Sequence, residues 1–139
     1  MIFKLRRILS TSLLCLALAV LSAAPVLSEP GVAGNWVGKL TRHDAPGGPR
    51  TSVFRLSLNV RGDKVSGTAG SGDQANKIAG GKVVGNEVSF FILVESREID
   101  RFLFRGVVDG DEMKLTMNAK RADTGDEVKL AEGVLLRAD

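Results

Sequence analysis

From residue 35 onward apolar and polar residues alternate one by one, and glycines punctuate the alternation. Phe54, Leu56, Leu58 and Val60 interleave with Arg55, Ser57 and Asn59. The same period runs through Phe102, Phe104, Gly106 and Val108, and again through Met113, Leu115, Met117 and Ala119. A period of two marks strands with one buried face, and no later segment carries a helical stripe. The pattern predicts eight strands, at about residues 35–41, 52–61, 64–70, 77–84, 87–95, 99–109, 112–120 and 127–137.

A short motif recurs at the junctions: Gly62-Asp63-Lys64-Val65, Gly85-Asn86-Glu87-Val88, Gly110-Asp111-Glu112-Met113 and Gly125-Asp126-Glu127-Val128. The first three fit two-residue hairpin turns, where Gly supplies the positive φ and Asp or Asn tolerates the next position. Register agrees. Such turns set Val60 against Val65, Val83 against Val88, Gly81 against Phe90, and Val108, Gly106 and Phe104 against Met113, Leu115 and Met117, keeping apolar residues on one face.

Consecutive antiparallel strands with one apolar face leave two open edges unless the sheet closes. The expected fold is therefore an all-β, eight-stranded antiparallel up-and-down β-barrel, with a two-sheet β-sandwich as the competing arrangement. Glycines 38, 67, 81 and 106 allow the coiling of a small barrel. Connections in a meander alternate between ends, so the tight turns gather with Trp36 and Arg137 at one end. The longer connections, 42–50, 71–76, 96–98 and 121–126, gather at the other. Arg42, His43, Arg50, Gln74, Arg97 and Arg121 lie on these loops, and they are the candidate ligand-binding residues, because sites on barrels usually sit on loops held by a rigid frame. Inward positions, from Trp36, Leu40 and Phe54 to Leu130 and Val134, are almost wholly apolar. The polar exceptions by parity are Lys77 at the mouth and Glu132, unless a bulge near Gly133 turns Glu132 outward. So few polar groups favour a filled interior over an apolar pocket.

Residues 1–28 read differently. Lys4, Arg6 and Arg7 precede an apolar run from Ile8 to Leu21, then small residues at Ser22, Ala23 and Ala24. This is the layout of a secretory signal. Cleavage after Ser28 avoids Pro25 directly behind the cut and is preferred to cleavage after Ala24, leaving a single domain over 29–139. The run is short for a membrane anchor, the competing reading. The protein is then exported, to the periplasm or the medium, with the route open. Removing the signal also changes the charge. The chain has 19 Lys and Arg against 16 Asp and Glu, and the three basic residues of the signal are the whole surplus. A formally neutral mature chain gives no reason to expect nucleic acid or, after cleavage, a membrane as partner. The sole cysteine, Cys15, leaves with the signal, which removes disulfide, thiolate-metal and cysteine-nucleophile chemistry.

Gly34-Asn35-Trp36 at the start of the first strand resembles the G-x-W signature of the calycin superfamily, the lipocalins and their relatives. The resemblance covers residues 34–137 as architecture and the opening strand as sequence. It implies that Trp36 plugs the closed end of the barrel and that an Arg of the last strand, here Arg137, packs over it as a cation on an indole. Gly34, Trp36 and Arg137 are its structural signature. The chain departs from lipocalins in having no helix after the last strand. An avidin-type biotin site is not expected, since Trp36 stands alone and Tyr is absent. The chain also looks similar to small exported bacterial domains of the G-x-W type.

Catalytic chemistry is poorly supplied. The one histidine, His43, lies beside Asp44 in a loop with Pro46, Gly47, Gly48 and Pro49 and no nucleophile elbow. A lone His offers no metal set, and Gly70-Ser71-Gly72-Asp73 lacks the rest of a phosphate loop. Arg61-Gly62-Asp63 spells an adhesion tripeptide that its hairpin role already explains, and Glu95, Glu98 and Asp100 make only a remote case for glycoside chemistry. The expectation is a non-enzymatic module without cofactor or metal that binds a small or apolar ligand at the long-loop end. Outward-facing Phe91, Leu93, Leu103 and Val107 on adjacent strands supply the alternative, a structural or interaction module using a protein partner or homodimer contact.

Overall fold

The alternating segments are strands throughout, and no helix occurs among the described residues. The structure is a computed structural model in which residues 31–138 are described. The expected signal and its cut after Ser28 lie outside the described residues. The strands are β1 (Gly34–Arg42), β2 (Arg50–Arg61), β3 (Lys64–Ser71), β4 (Asn76–Lys77), β5 (Ala79–Val84), β6 (Glu87–Leu93), β7 (Ile99–Asp109), β8 (Glu112–Arg121) and β9 (Glu127–Ala138). All pairings are antiparallel, and β9 returns to β1 from Asn35↔Ala138 to Arg42↔Ala131. That last pairing consumes both edges, so the sheet is a closed eight-stranded barrel with one short extra strand, not a sandwich.

The turn registers are those set by the repeated motif. Val60 faces Val65, Val83 faces Val88, and Val108, Gly106 and Phe104 face Met113, Leu115 and Met117. Gly62, Gly85 and Gly110 take φ of +63°, +62° and +64°, the left-handed region that a two-residue turn demands. The residue after each glycine has a further part in the fold. Its carbonyl accepts a backbone N–H from a following strand: Val83 to Asp63 at 2.9 Å, Val108 to Asn86 at 2.9 Å, and Arg137 to Asp111 at 2.8 Å. The motif therefore closes hairpins and also stitches each hairpin to the next.

Two irregularities move side chains from their expected faces. The segment expected as one strand at 77–84 divides at Ile78, and a register shift between Ala79 and Lys82 removes the expected pairing of Gly81 with Phe90. Ile78 takes the buried place and Lys77, expected to point inward, is exposed. In β9 a bulge opposite Met117 and Asn118 buries Leu130 and Ala131 in succession and reverses the parity that follows. Leu135 becomes fully buried, whereas Val134, expected inside, is 41% exposed, and Glu132 points out. An inward count started before the bulge is wrong after it.

The interior is filled in its lower half. Trp36, Leu56, Val88, Met113, Leu115 and Leu135 are all but inaccessible and form the core with Val32 and Leu58. Above them Phe90, Phe104 and Phe54 stack across the barrel, with ring centroids 4.9 and 5.6 Å apart. Where β9 crosses β1 the backbones come so close that a Cβ on Gly133 would collide with the Lys39 carbonyl oxygen. Only glycine fits there.

Candidate functional site

The end with the tight turns is sealed. The Arg137 guanidinium lies 4.3 Å from the centroid of the Trp36 ring, so the structure brings the two expected partners together. Arg137 also donates from Nη1 to the Ala33 carbonyl at 2.8 Å, from Nη2 to the Gly31 and Gly110 carbonyls at 2.8 and 3.2 Å, and from Nε to Asp111 Oδ1 at 3.2 Å. The Trp36 indole donates to the Val32 carbonyl at 2.9 Å. These bonds fold residues 31–33 across the barrel end and drive Val32 into the core. A Cβ on Gly34 would come within 3.3 Å of Arg137 Nη1, so a small residue belongs there. These contacts commit the Arg137 guanidinium and close the barrel interior at this end.

The opposite end holds a cavity of about 290 Å³. Its walls are Leu40, Phe54, Ile92, Phe102, Phe104 and Met117, and its rim carries Arg42, Ser52, Ser71, Gln74 and Asn76. The long-loop end is thus open in its upper half above a solid lower core, so the interior is filled and open in different layers. Of the six loop residues singled out in the sequence, Arg42 and Gln74 line this cavity. His43, Arg50, Arg97 and Arg121 do not. His43 is half exposed, with Nε2 3.7 Å from Glu132 Oε1 on the outer wall. Arg50 is exposed at the start of β2 opposite Arg42, Arg97 is exposed on the connection after β6, and Arg121 turns toward Asp123 at 3.7 Å. Sequence reading missed Ser52, Ser71 and Asn76, which belong to strand ends; their sheet parity carried the signal, because they are paired with the buried Leu40, Phe54 and Ala69.

Some of the charge near the mouth is paired. Arg42 grips Asp44 through Nε and Nη2 at 3.1 and 3.0 Å, and that hydrogen bond holds the Asp44 carboxyl below its ordinary value. Lys129 donates to Glu132 Oε2 at 2.7 Å and lowers the Glu132 pKa in the same way, with His43 contributing less. No buried residue is polar or charged among those described, and no group of His, Cys, Asp or Glu converges there as metal ligands would. The cavity can exclude water around an apolar body and offer hydroxyl and amide partners at its rim. It presents no nucleophile with a base behind it.

The outer apolar residues are dispersed. Phe91 faces Leu103 across β6 and β7, and both are half-buried. Arg101 lies over the Phe91 ring at 4.4 Å, and the Arg105–Glu87 ion pair at 3.0 Å comes between Leu103 and Val107. Leu93 and Val107 are 64% and 40% exposed but are kept apart by this polar cover.

No protein-family model matches the chain, and neither does any of the curated proteins searched. Among solved structures the chain is similar to the crystal structure of Rv2717c from M. tuberculosis, with 10% sequence identity, a TM-score of 0.48, and coverage of 78% of this chain and 93% of that one.

Proposed function

We propose that the chain is an exported, non-enzymatic binding module that takes a small apolar ligand with an uncharged polar head into the long-loop end of its barrel. The observation that carries this reading is the 290 Å³ cavity over the phenylalanine stack, walled by apolar side chains and rimmed by hydroxyl and amide groups. Burial of the ligand body supplies affinity at about 25 cal/mol per Å² of apolar surface. The rim orients the head. A carboxylate head is disfavoured, because the guanidinium that would receive it is held by Asp44. The calycin-like resemblance fits this arrangement, with Trp36 and Arg137 closing one end and the ligand entering at the other.

A neutral fluorescent probe, N-phenyl-1-naphthylamine, tests the cavity. The expected result is saturable single-site fluorescence enhancement, lost in Ile92→Trp, which fills the mouth without touching the lower core. Absence of saturable binding, or equal binding by the variant, overturns the reading. The mass of the chain recovered from the medium or periplasm tests export, with residue 29 expected as the first residue.

The alternative, a partner or homodimer contact through Phe91, Leu93, Leu103 and Val107, receives less support because Arg101 and the Arg105–Glu87 pair divide the patch.

A further inference from the structure

On the outer wall of the closed half, Arg61, Lys64 and Lys82 stand in one cross-strand row. Arg61 is paired with Lys64 across β2 and β3, and Lys64 with Lys82 across β3 and β5. All three are exposed and point away from the core. Like charges directly opposite one another weaken a ladder. Where cations meet elsewhere a carboxylate holds one of them: Asp44 holds Arg42, which faces Arg50, and Asp100 holds Arg101, which faces Lys120. Among the described residues no carboxylate forms an ion pair with Arg61, Lys64 or Lys82. Asp63 also lines the cleft; its backbone carbonyl accepts from the Val83 N–H, and its carboxylate forms no ion pair with the three cations.

The three cations surround a surface cleft of about 540 Å³, lined also by Ser66, Gly80 and Gly81. The cleft follows from the sheet. β3 meets β5 only at Lys64↔Lys82 and Val65↔Gly81 before the irregularity at Ala79–Lys82, and Gly80 and Gly81 add no side chains to fill the gap. Selection for stability alone would place an acid opposite Lys64. The row is instead three unmatched donors around a hollow.

We propose that this cleft binds a multiply charged phosphate group, its oxygens received by the Lys64 and Lys82 ammonium groups and the Arg61 guanidinium. The bonds are charge-assisted, and Arg61 can present two parallel donors. Solvent exposure keeps the affinity modest and salt-dependent. The site is independent of the mouth cavity.

Inorganic pyrophosphate is the probe. Thermal melts are run with pyrophosphate and with sodium chloride at equal ionic strength, on the native chain and on Lys64→Ser/Lys82→Ser. The expected result is a saturating rise in Tm with pyrophosphate beyond that with chloride, and binding about tenfold or more weaker in the double variant, or roughly 1.4 kcal/mol. At low salt the double variant itself should melt no lower than the native chain, since the substitution removes a repulsion. That result also shows that it folds. Flotation with phosphatidylcholine vesicles, with and without phosphatidic acid, separates the sources. Capture by phosphatidic acid that requires Lys64 and Lys82 assigns a lipid headgroup, and a pyrophosphate shift without capture assigns a soluble phosphorylated molecule. Equal shifts with chloride and pyrophosphate together with no capture overturn the proposal, as does any pyrophosphate shift or capture that persists undiminished in the double variant.

Discussion

The two ends of this barrel solve opposite problems with the same strands. At the tight-turn end each hairpin carbonyl is bonded to a following strand, and one arginine ties the last strand to the β7–β8 turn, to residues 31–33 and to an indole. At the long-loop end the connections are held by backbone bonds such as His43 to Leu130 at 3.0 Å and Ala122 to Glu98 at 2.9 Å, and by ion pairs whose side chains are largely in water. Interlocked bonds at one end let the other keep a void under its loops. The interlocked closure and the interior cavity are separated along the barrel axis, as in other folds where a rigid frame carries variable loops.

Substitution at the sealed end should cost most. Trp36→Ala removes a fully buried indole together with its bond to Val32, a loss of about 3–5 kcal/mol measurable by urea unfolding. Gly133→Ala should be comparably damaging, since β1 would have to retreat from β9, and an expressed variant with native stability would mean that the crossing is looser than described. Arg137→Lys keeps the charge but cannot span Gly31, Ala33, Gly110 and Asp111 together. About 2–3 kcal/mol is expected. At the open end, replacing residues 43–49 with a short Gly-containing turn should change stability by only about 1 kcal/mol, because loop closure depends weakly on length. A large loss there would remove the distinction between the ends.

Most of this division was legible in the sequence because alternation and turn chemistry are local. The three Gly-Asp/Asn dipeptides specified their hairpins without help from distant residues, and the strand limits followed within two residues or so. What escaped was non-local. The bulge at Leu130–Ala131 is a shift in the β8–β9 pairing, from Met117↔Ala131 to Asn118↔Lys129, just past the last β1–β9 pair at Arg42↔Ala131, and it shows only once the strands are paired. Its consequence was the wrong face for Val134. The sequence did offer a bulge near Gly133 that would turn Glu132 outward, and Glu132 does point out, with the shift a few residues earlier, at Leu130–Ala131. Likewise the stub β4 answers to β3 rather than to its own sequence, which is why Lys77 turned out and Ile78 in. The cavity was harder still, since a void depends on how far Phe54 and Phe104 reach across the barrel, and no pattern of polarity records that.

A smaller effect concerns the mouth alone. Asp44→Asn frees the Arg42 guanidinium at the cavity rim while leaving every apolar wall in place. The expected outcome is a change in selectivity of about threefold toward an anionic probe, 1-anilinonaphthalene-8-sulfonate, over the neutral naphthylamine, the scale of one exposed ion pair. Unchanged selectivity would show that Arg42 is not a determinant of what enters.

Acidification gives the smallest effect, and its sign follows from the direction of the shifts. The Asp44 and Glu132 carboxyls are both held below their ordinary values of 3.8 and 4.5, by Arg42 in the first case and by Lys129 with His43 in the second. A depressed folded pKa contributes stability that is present above the unfolded value and is lost as pH falls through the folded one. The open-end contacts should therefore persist down to about pH 4 and loosen below it, and added salt should blunt the change because both groups are exposed. Carboxyl carbon shifts followed by NMR would show Asp44 moving back toward 3.8 in Arg42→Gln, with Tm at neutral pH nearly unaltered. If that variant instead lowered Tm as much as Arg137→Lys does, the loops would be bearing load, and the contrast between a structural end and a receptive end would fail.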